Sequence, residues 1–195
     1  LMPVLLAVAL VAGCGGGGGG DTGIASMVQG RWGHTATQLE DGRVLVVGGQ
    51  GTPSGKLATA EVYDLTGTWS SAGSMAEKRG AGHTATLLED GRVLVTGDSD
   101  EALAELYDPA TGQWSSAGVM VEPRNWATAT LLEDGRVLVA GGLDATKAGA
   151  APLVAVEIYD PSTGEWSPTS SMEQKNSKHS AVVMEDGKVM LVGQF

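Results

Sequence analysis

The sequence repeats itself, and that repetition limits the folds open to it more than any other feature. Four segments align without gaps: 34–43 (HTATQLEDGR), 83–92 (HTATLLEDGR), 127–136 (ATATLLEDGR) and 179–188 (HSAVVMEDGK). Each runs on into an apolar stretch, at 44–47, 93–96, 137–140 and 189–192. Three then reach a second shared segment, Glu61-Val62-Tyr63-Asp64, Glu105-Leu106-Tyr107-Asp108 and Glu157-Ile158-Tyr159-Asp160. Each of those leads through Thr-Gly to a tryptophan: Trp69, Trp114 and Trp166. The Asp-Gly pairs begin at 41, 90, 134 and 186, a methionine closes units one to three at Met75, Met120 and Met172, and Met27 marks the tail of a unit before them. Self-similarity at such a period marks a chain built from one small unit stacked on copies of itself.

The chemistry of one unit is readable. The segment HTATLLE alternates small or polar residues with apolar ones and is rich in Thr, which predicts a strand. Glu-Asp-Gly-Arg is a tight turn, because Asp tolerates a left-handed backbone and Gly has no Cβ to clash there. The stretch 44–47 is continuously apolar and mostly β-branched, which predicts a strand covered on both faces. Asp108-Pro109 and Asp160-Pro161 open turns in which proline presets φ, joining the tyrosine strand to the tryptophan strand. A unit is therefore expected to be a small antiparallel sheet of four strands. One such sheet cannot cover both its faces; repeated radially, each sheet packs on its neighbours, which is the β-propeller arrangement.

An Arg and a His ahead of the first strand, then DGRVLVVGG, AEVYD and TGTW, resemble the kelch repeat. In that family a Gly pair ends the second strand, and the Tyr and Trp lie on the third and fourth. The Gly pairs here are Gly48-Gly49 and Gly141-Gly142, whereas the other units keep only the first glycine, in Gly97-Asp98 and Gly193-Gln194. No Trp-Asp pair occurs, which disfavours the WD type of propeller. The resemblance spans about residues 27–195 and implies an all-β, kelch-type β-propeller of which about three and a half four-stranded blades are present: 27–75, 76–120, 121–172 and, as a half blade, 173–195.

The first 13 residues, LMPVLLAVALVAG, are apolar, uncharged and too short to cross a bilayer. They suit the apolar region of a signal peptide, and Val11-Ala12-Gly13-Cys14 resembles the bacterial lipobox, whose Cys becomes lipid-modified. Six glycines follow, so 14–26 reads as a lipidated Cys14 and a flexible Gly-rich tether. No Lys or Arg precedes Cys14 and the chain opens on Leu, so the signal peptide is expected to be incomplete and the chain a fragment. These features predict an exported, lipid-anchored protein of a bacterial envelope, at the outer membrane if the cell is Gram-negative. With 12 Lys and Arg against 23 Asp and Glu, the net charge is −11. Such a surface repels phosphate backbones and argues against a nucleic-acid partner.

Candidate sites come from positions in the repeat. His34, His83 and His179 are equivalent, and unit three has Ala127 in that place. Their periodicity predicts hydrogen bonds between blades, not a metal site. Gly48, Gly49, Gly97, Gly141, Gly142 and Gly193, with Tyr63, Tyr107, Tyr159, Trp69, Trp114 and Trp166, are expected to be structural for the same reason. Arg31, Arg79 and Arg124 precede each first strand, with Asn176 in unit four; they either pair with carboxylates or line an anion-binding mouth. Trp32 and Trp126 fall outside the tryptophan series and suit stacking on a sugar. The Glu-Asp pairs of the hairpins are turns, since adjacent residues point apart and catalytic carboxyls need a buried cleft.

The segments 50–57, 98–102 and 143–152 differ most between units and leave the same edge of each blade, where recognition is expected. The expectation is a binding or scaffold module for a protein or glycan, without cofactor, metal or catalytic residues. The alternatives are a carbohydrate-acting propeller enzyme, epimerase- or oxidase-like, or a surface spacer. Copper-radical oxidase chemistry needs a Cys crosslinked to Tyr, and the only Cys lies in the lipobox.

Overall fold

The structure, a computed structural model, describes residues 25–53, 55–99, 101–146 and 151–193. In unit one the strands are β1 (Arg31–Trp32), β2 (Thr35–Gln38), β3 (Val44–Val47), β4 (Gln50–Gly51), β5 (Gly55–Tyr63) and β6 (Trp69–Arg79), the last running on past Met75 into the entry segment of unit two. Unit two holds β7 (Thr84–Leu87), β8 (Val93–Thr96), β9 (Leu103–Asp108) and β10 (Gln113–Val119). Unit three holds β11 (Arg124–Asn125), β12 (Thr128–Leu131), β13 (Val137–Ala140), β14 (Leu143–Asp144), β15 (Val156–Asp160) and β16 (Glu165–Pro168). Unit four holds β17 (Ser180–Val183) and β18 (Val189–Val192). Among the described residues there is no helix.

Every pairing is antiparallel. The blades run β2-β3-β5-β6, β7-β8-β9-β10 and β12-β13-β15-β16 from the inside outwards, with β17-β18 as a fourth, two-stranded sheet. The first strands lie side by side, β2 against β7, β7 against β12 and β12 against β17, so they surround the axis of a fan. The architecture is the partial propeller that the resemblance implies. Two of the variable segments are more regular than expected: 50–57 is a hairpin of β4 and β5 joined by β1, and 143–152 starts with β14, which pairs with β11.

Burial follows from the radial stacking. Leu45 and Val47 of blade one pack with Val93, Val95 and Tyr107 of blade two, all at most 2% exposed. Leu94 and Leu106 of blade two pack with Val137, Val139 and Tyr159 of blade three. The central apolar strands β3 and β8 thus have both faces covered, as continuous hydrophobic sequence demands. β18 alternates half-buried with exposed residues, and among the described residues no sheet covers its exposed face.

The tyrosine and tryptophan of each unit sit opposite one another, Tyr63 to Trp69, Tyr107 to Trp114 and Tyr159 to Trp166. Their ring centroids lie 5.0, 5.1 and 5.1 Å apart in tilted pairs. The indole also leaves its own blade: Nε1 of Trp69, Trp114 and Trp166 donates to the carbonyls of Ala25, Ala72 and Ala117, at 2.9, 2.8 and 2.7 Å. The outer-strand tryptophans therefore pack within a blade; Trp114 and Trp166 latch it to the outer strand of the preceding blade, and Trp69 to the chain ahead of β1.

Candidate binding face

The residues entering each first strand are the main candidates for a site, and the three arginines among them do not line a mouth. Side chains of Arg31, Arg79 and Arg124 are 0% exposed and form ion pairs with Glu61, Glu105 and Glu157. Arg31 lies 2.7 Å and Arg79 3.0 Å from its carboxylate. The guanidinium of each also donates to the carbonyl of the first glycine of the pair (Gly48, Gly97, Gly141) and to one on the third strand or just before it (Thr59, Leu103, Ala155). Each glutamate in turn accepts two backbone N–H groups from the segment that crosses into its blade, Val28 and Gln29, Ala76 and Glu77, or Val121 and Glu122. A buried charge needs this degree of satisfaction. With their side chains fully buried and paired to glutamates, Arg31, Arg79 and Arg124 form a clasp repeated three times in place of the expected binding mouth, and Nε of Arg31 and of Arg79 is enclosed without a partner.

The Gly pairs have a reason that lies between blades. N–H of Gly49, Asp98 and Gly142 donates at 2.9 Å to the carbonyl of Arg79, Arg124 and Asn176 in the following unit. A Cβ on Gly141 would lie 2.5 Å from the Asn176 oxygen, and one on Gly48 2.8 Å from that of Arg79. Only glycine lets the next chain come so near. Asp98 takes the second place with φ +52°, and its carboxylate accepts the Gly80 N–H and pairs with Lys56. Gln194 lies outside the described residues.

Two of the three histidines, His83 and His179, join blades, whereas His34 makes no bond to another blade among the described residues and its Nδ1 is buried without a partner. His83 Nε2 lies 3.1 Å from Thr35 Oγ1 and 3.1 Å from the Val47 carbonyl, both in the preceding blade, while Nδ1 lies 2.6 Å from the Gly80 carbonyl. His179 Nε2 lies 3.0 Å from Thr128 Oγ1. Where Ala127 interrupts the series, Thr84 instead bonds Thr96 of its own blade at 2.8 Å. Sequence reasoning missed this substitution, although a lone Thr at the end of an otherwise apolar stretch signals it. Burial holds the imidazoles of His34, His83 and His179 below their ordinary pKa, so they are neutral at pH 7.

Just before those positions the chain does something sequence reasoning did not anticipate. Gly33, Gly82, Trp126 and Lys178 occupy one repeat position, and all have positive φ: +64°, +106°, +56° and +54°. For a side chain bulkier than Asn this conformation costs about 1–2 kcal/mol. Trp126 N–H donates to the Gly82 carbonyl and Lys178 N–H to that of Trp126, which chains the entry loops together around the axis. A cavity of about 410 Å³ opens there, walled by His34, His83, His179, Trp126 and Lys178. The Trp126 indole lies over Gly82, where a Cβ would meet the ring at 3.1 Å. Lys178 Nζ stands 5.1 Å from the centre of that ring. Trp32 is 61% exposed but lies outside this cavity.

The opposite face holds the hairpin turns. Arg43 holds the Asp41 carboxyl below the ordinary carboxylate range, Arg136 does so for Asp134 and Lys188 for Asp186. These carboxylates are solvated and satisfied by residues two positions along, as turns require. Among the described residues no three His, Cys, Asp or Glu side chains converge on a metal geometry, and no helix is long and apolar enough to cross a membrane. Cys14 lies outside the described residues.

A family model of the Kelch motif matches residues 41–76 and 134–173, which fall in units one and three. No curated protein matches the chain. Two Kelch motifs on a radial all-β fan are consistent with the fold of a partial kelch-type β-propeller, and such motifs suggest a protein-interaction scaffold.

Proposed function

We propose that this chain is a lipid-anchored, exported module that recognises a protein or a glycan on the face carrying the entry loops and the variable segments, and catalyses no reaction. One observation carries this reading. The contacts that hold blade to blade recur nearly unchanged, whereas residues facing the axial cavity depart from the repeat, with Trp126 and Lys178 standing where two units use glycine. Strain at such positions is retained when something other than stability requires the side chain. The neighbouring segment 143–152 departs from the repeat in length as well.

Anchoring is argued from the apolar leader and Val11-Ala12-Gly13-Cys14 alone. In cells, Cys14→Ser should shift the protein from the membrane to the soluble fraction and remove incorporation of labelled fatty acid; retention at the membrane would overturn the anchor. Recognition is tested by presenting the purified chain to a glycan array and to envelope extracts beside a screen for carbohydrate turnover. Capture without turnover is expected, and exchanging 143–152 for a short Gly-Ser turn should weaken capture while the protein still folds. Turnover of a sugar substrate would overturn the non-catalytic reading.

A further inference from the structure

The axial cavity has the makings of a specific subsite, and its chemistry narrows the ligand. Trp126 lines the cavity wall and is 38% exposed as a residue. An aromatic face of this kind takes up the C–H face of a pyranose ring, burying apolar surface while the sugar hydroxyls stay free to hydrogen bond. Lys178 Nζ stands over the Trp126 ring, 5.1 Å from its centroid, and makes no ion pair among the described residues. The imidazoles behind it are held neutral by burial and add no positive charge, and both nitrogens of His83 and Nε2 of His179 are already engaged within the scaffold. The guanidinium groups nearby are engaged by their own glutamates. One cation beside one ring suits a single carboxylate. A phosphate dianion would call for a fork of donors, which the cavity walls do not supply.

We propose that the Trp126–Lys178 pair is a subsite for a carboxylated pyranose, a hexuronate residue stacked on the indole with its carboxylate at Lys178 Nζ. The volume of about 410 Å³ lies in the range of small-ligand pockets, roughly 300–1,000 Å³. A net charge of −11 repels a long polyuronate, so the favoured ligand is a single or terminal uronic acid on an otherwise neutral glycan. The inference rests on the glycan branch of the proposed function and adds to it the residues and the sugar class.

The repeat itself supplies the test variants. Since Gly33 and Gly82 fill the same position with the same sign of φ, Trp126→Gly and Lys178→Gly suit the backbone and keep the fold. The full chain, with its tryptophan indole N–H groups followed by NMR, is titrated with methyl glucuronoside and, separately, methyl glucoside. The glucuronoside should bind at least about tenfold more tightly and move the Trp126 signal. Trp126→Gly should abolish binding of both sugars, and Lys178→Gly should bring the glucuronoside down to the affinity of the glucoside. Equal affinities in the unaltered protein, or binding that survives Trp126→Gly, would overturn the subsite. Glycan capture that depends on 143–152 but is untouched by Trp126→Gly would overturn the subsite while leaving recognition on this face standing. Absence of any glycan or protein capture would overturn both.

Discussion

The outer clasp and the axial rim are built from the same short segment of each unit, yet they behave oppositely along the chain. At the clasp, an arginine, a glutamate and two backbone N–H groups recur three times with the same bonds. A few residues away, the rim position is Gly33, Gly82, Trp126 and Lys178 in turn, with the backbone held in one conformation throughout. The difference separates two demands on one strand entry. The clasp must satisfy buried charge and keeps its arginine in units one to three, giving way to Asn176 in unit four, whereas the rim needs only a left-handed backbone and leaves its side chain free for another purpose.

The largest effect is expected at the clasp. Glu105→Leu leaves the Arg79 guanidinium buried without its carboxylate and strips the acceptor from the backbone N–H groups of Ala76 and Glu77. A loss of about 3–5 kcal/mol follows, read as a fall in the urea midpoint; a loss below about 1 kcal/mol would break the contrast between clasp and rim. Gly141→Ala comes next. Its Cβ would stand 2.5 Å from the Asn176 carbonyl at φ +60°, so blades three and four must separate or strain, at about 2–3 kcal/mol. Trp166→Phe keeps the ring against Tyr159 but loses the bond to Ala117, which is worth about 1 kcal/mol in the same assay.

Acidity probes the histidines that lie between the two regions. Unfolded imidazoles take up protons near 6.5, while the folded ones do so only at lower pH because they are buried. The stability tied to their neutral form is therefore complete above about pH 6.5 and is lost as pH falls from there through the folded values. A urea midpoint that declines over that window, with a shallower decline in His83→Gln, is the expected record. The depressed carboxyls of Asp41, Asp134 and Asp186 act separately, their share persisting above about 3.8 and fading below it. The smallest effect is expected at the rim. Trp126→Gly relieves strain of roughly 1 kcal/mol and gives up packing on Gly82, so its midpoint should stay within about 1 kcal/mol of the parent.

Much of the blade could be read before the structure, because its signals are local. The hairpins of β2 with β3 and of β7 with β8 follow from Asp-Gly turns between strand patterns, and the pairing of Tyr107 with Trp114 follows from the short turn that joins them. The clasp was half legible. Arg79 and Glu105 were both visible as recurring residues, and a glutamate kept inside an otherwise apolar strand is the sign of a buried partner. Choosing between a pair and a mouth required the angle between successive blades, which no local pattern encodes. The bond of Thr84 to Thr96, made where Ala127 offers no imidazole, likewise depends on contacts between distant positions. The left-handed backbone at Trp126 was hidden because tryptophan is a poor indicator of it; only alignment with Gly33 and Gly82 exposes the demand.

The close passage of each glycine pair beneath the carbonyl of the following unit means that spacing along the fan is set by main chain meeting main chain. Side chains around the axis can then be exchanged one at a time while the pitch of the array stays constant. Such a scaffold is suited to diversification: new specificities can be grafted at the four rim positions, and each graft meets the same ready-made geometry.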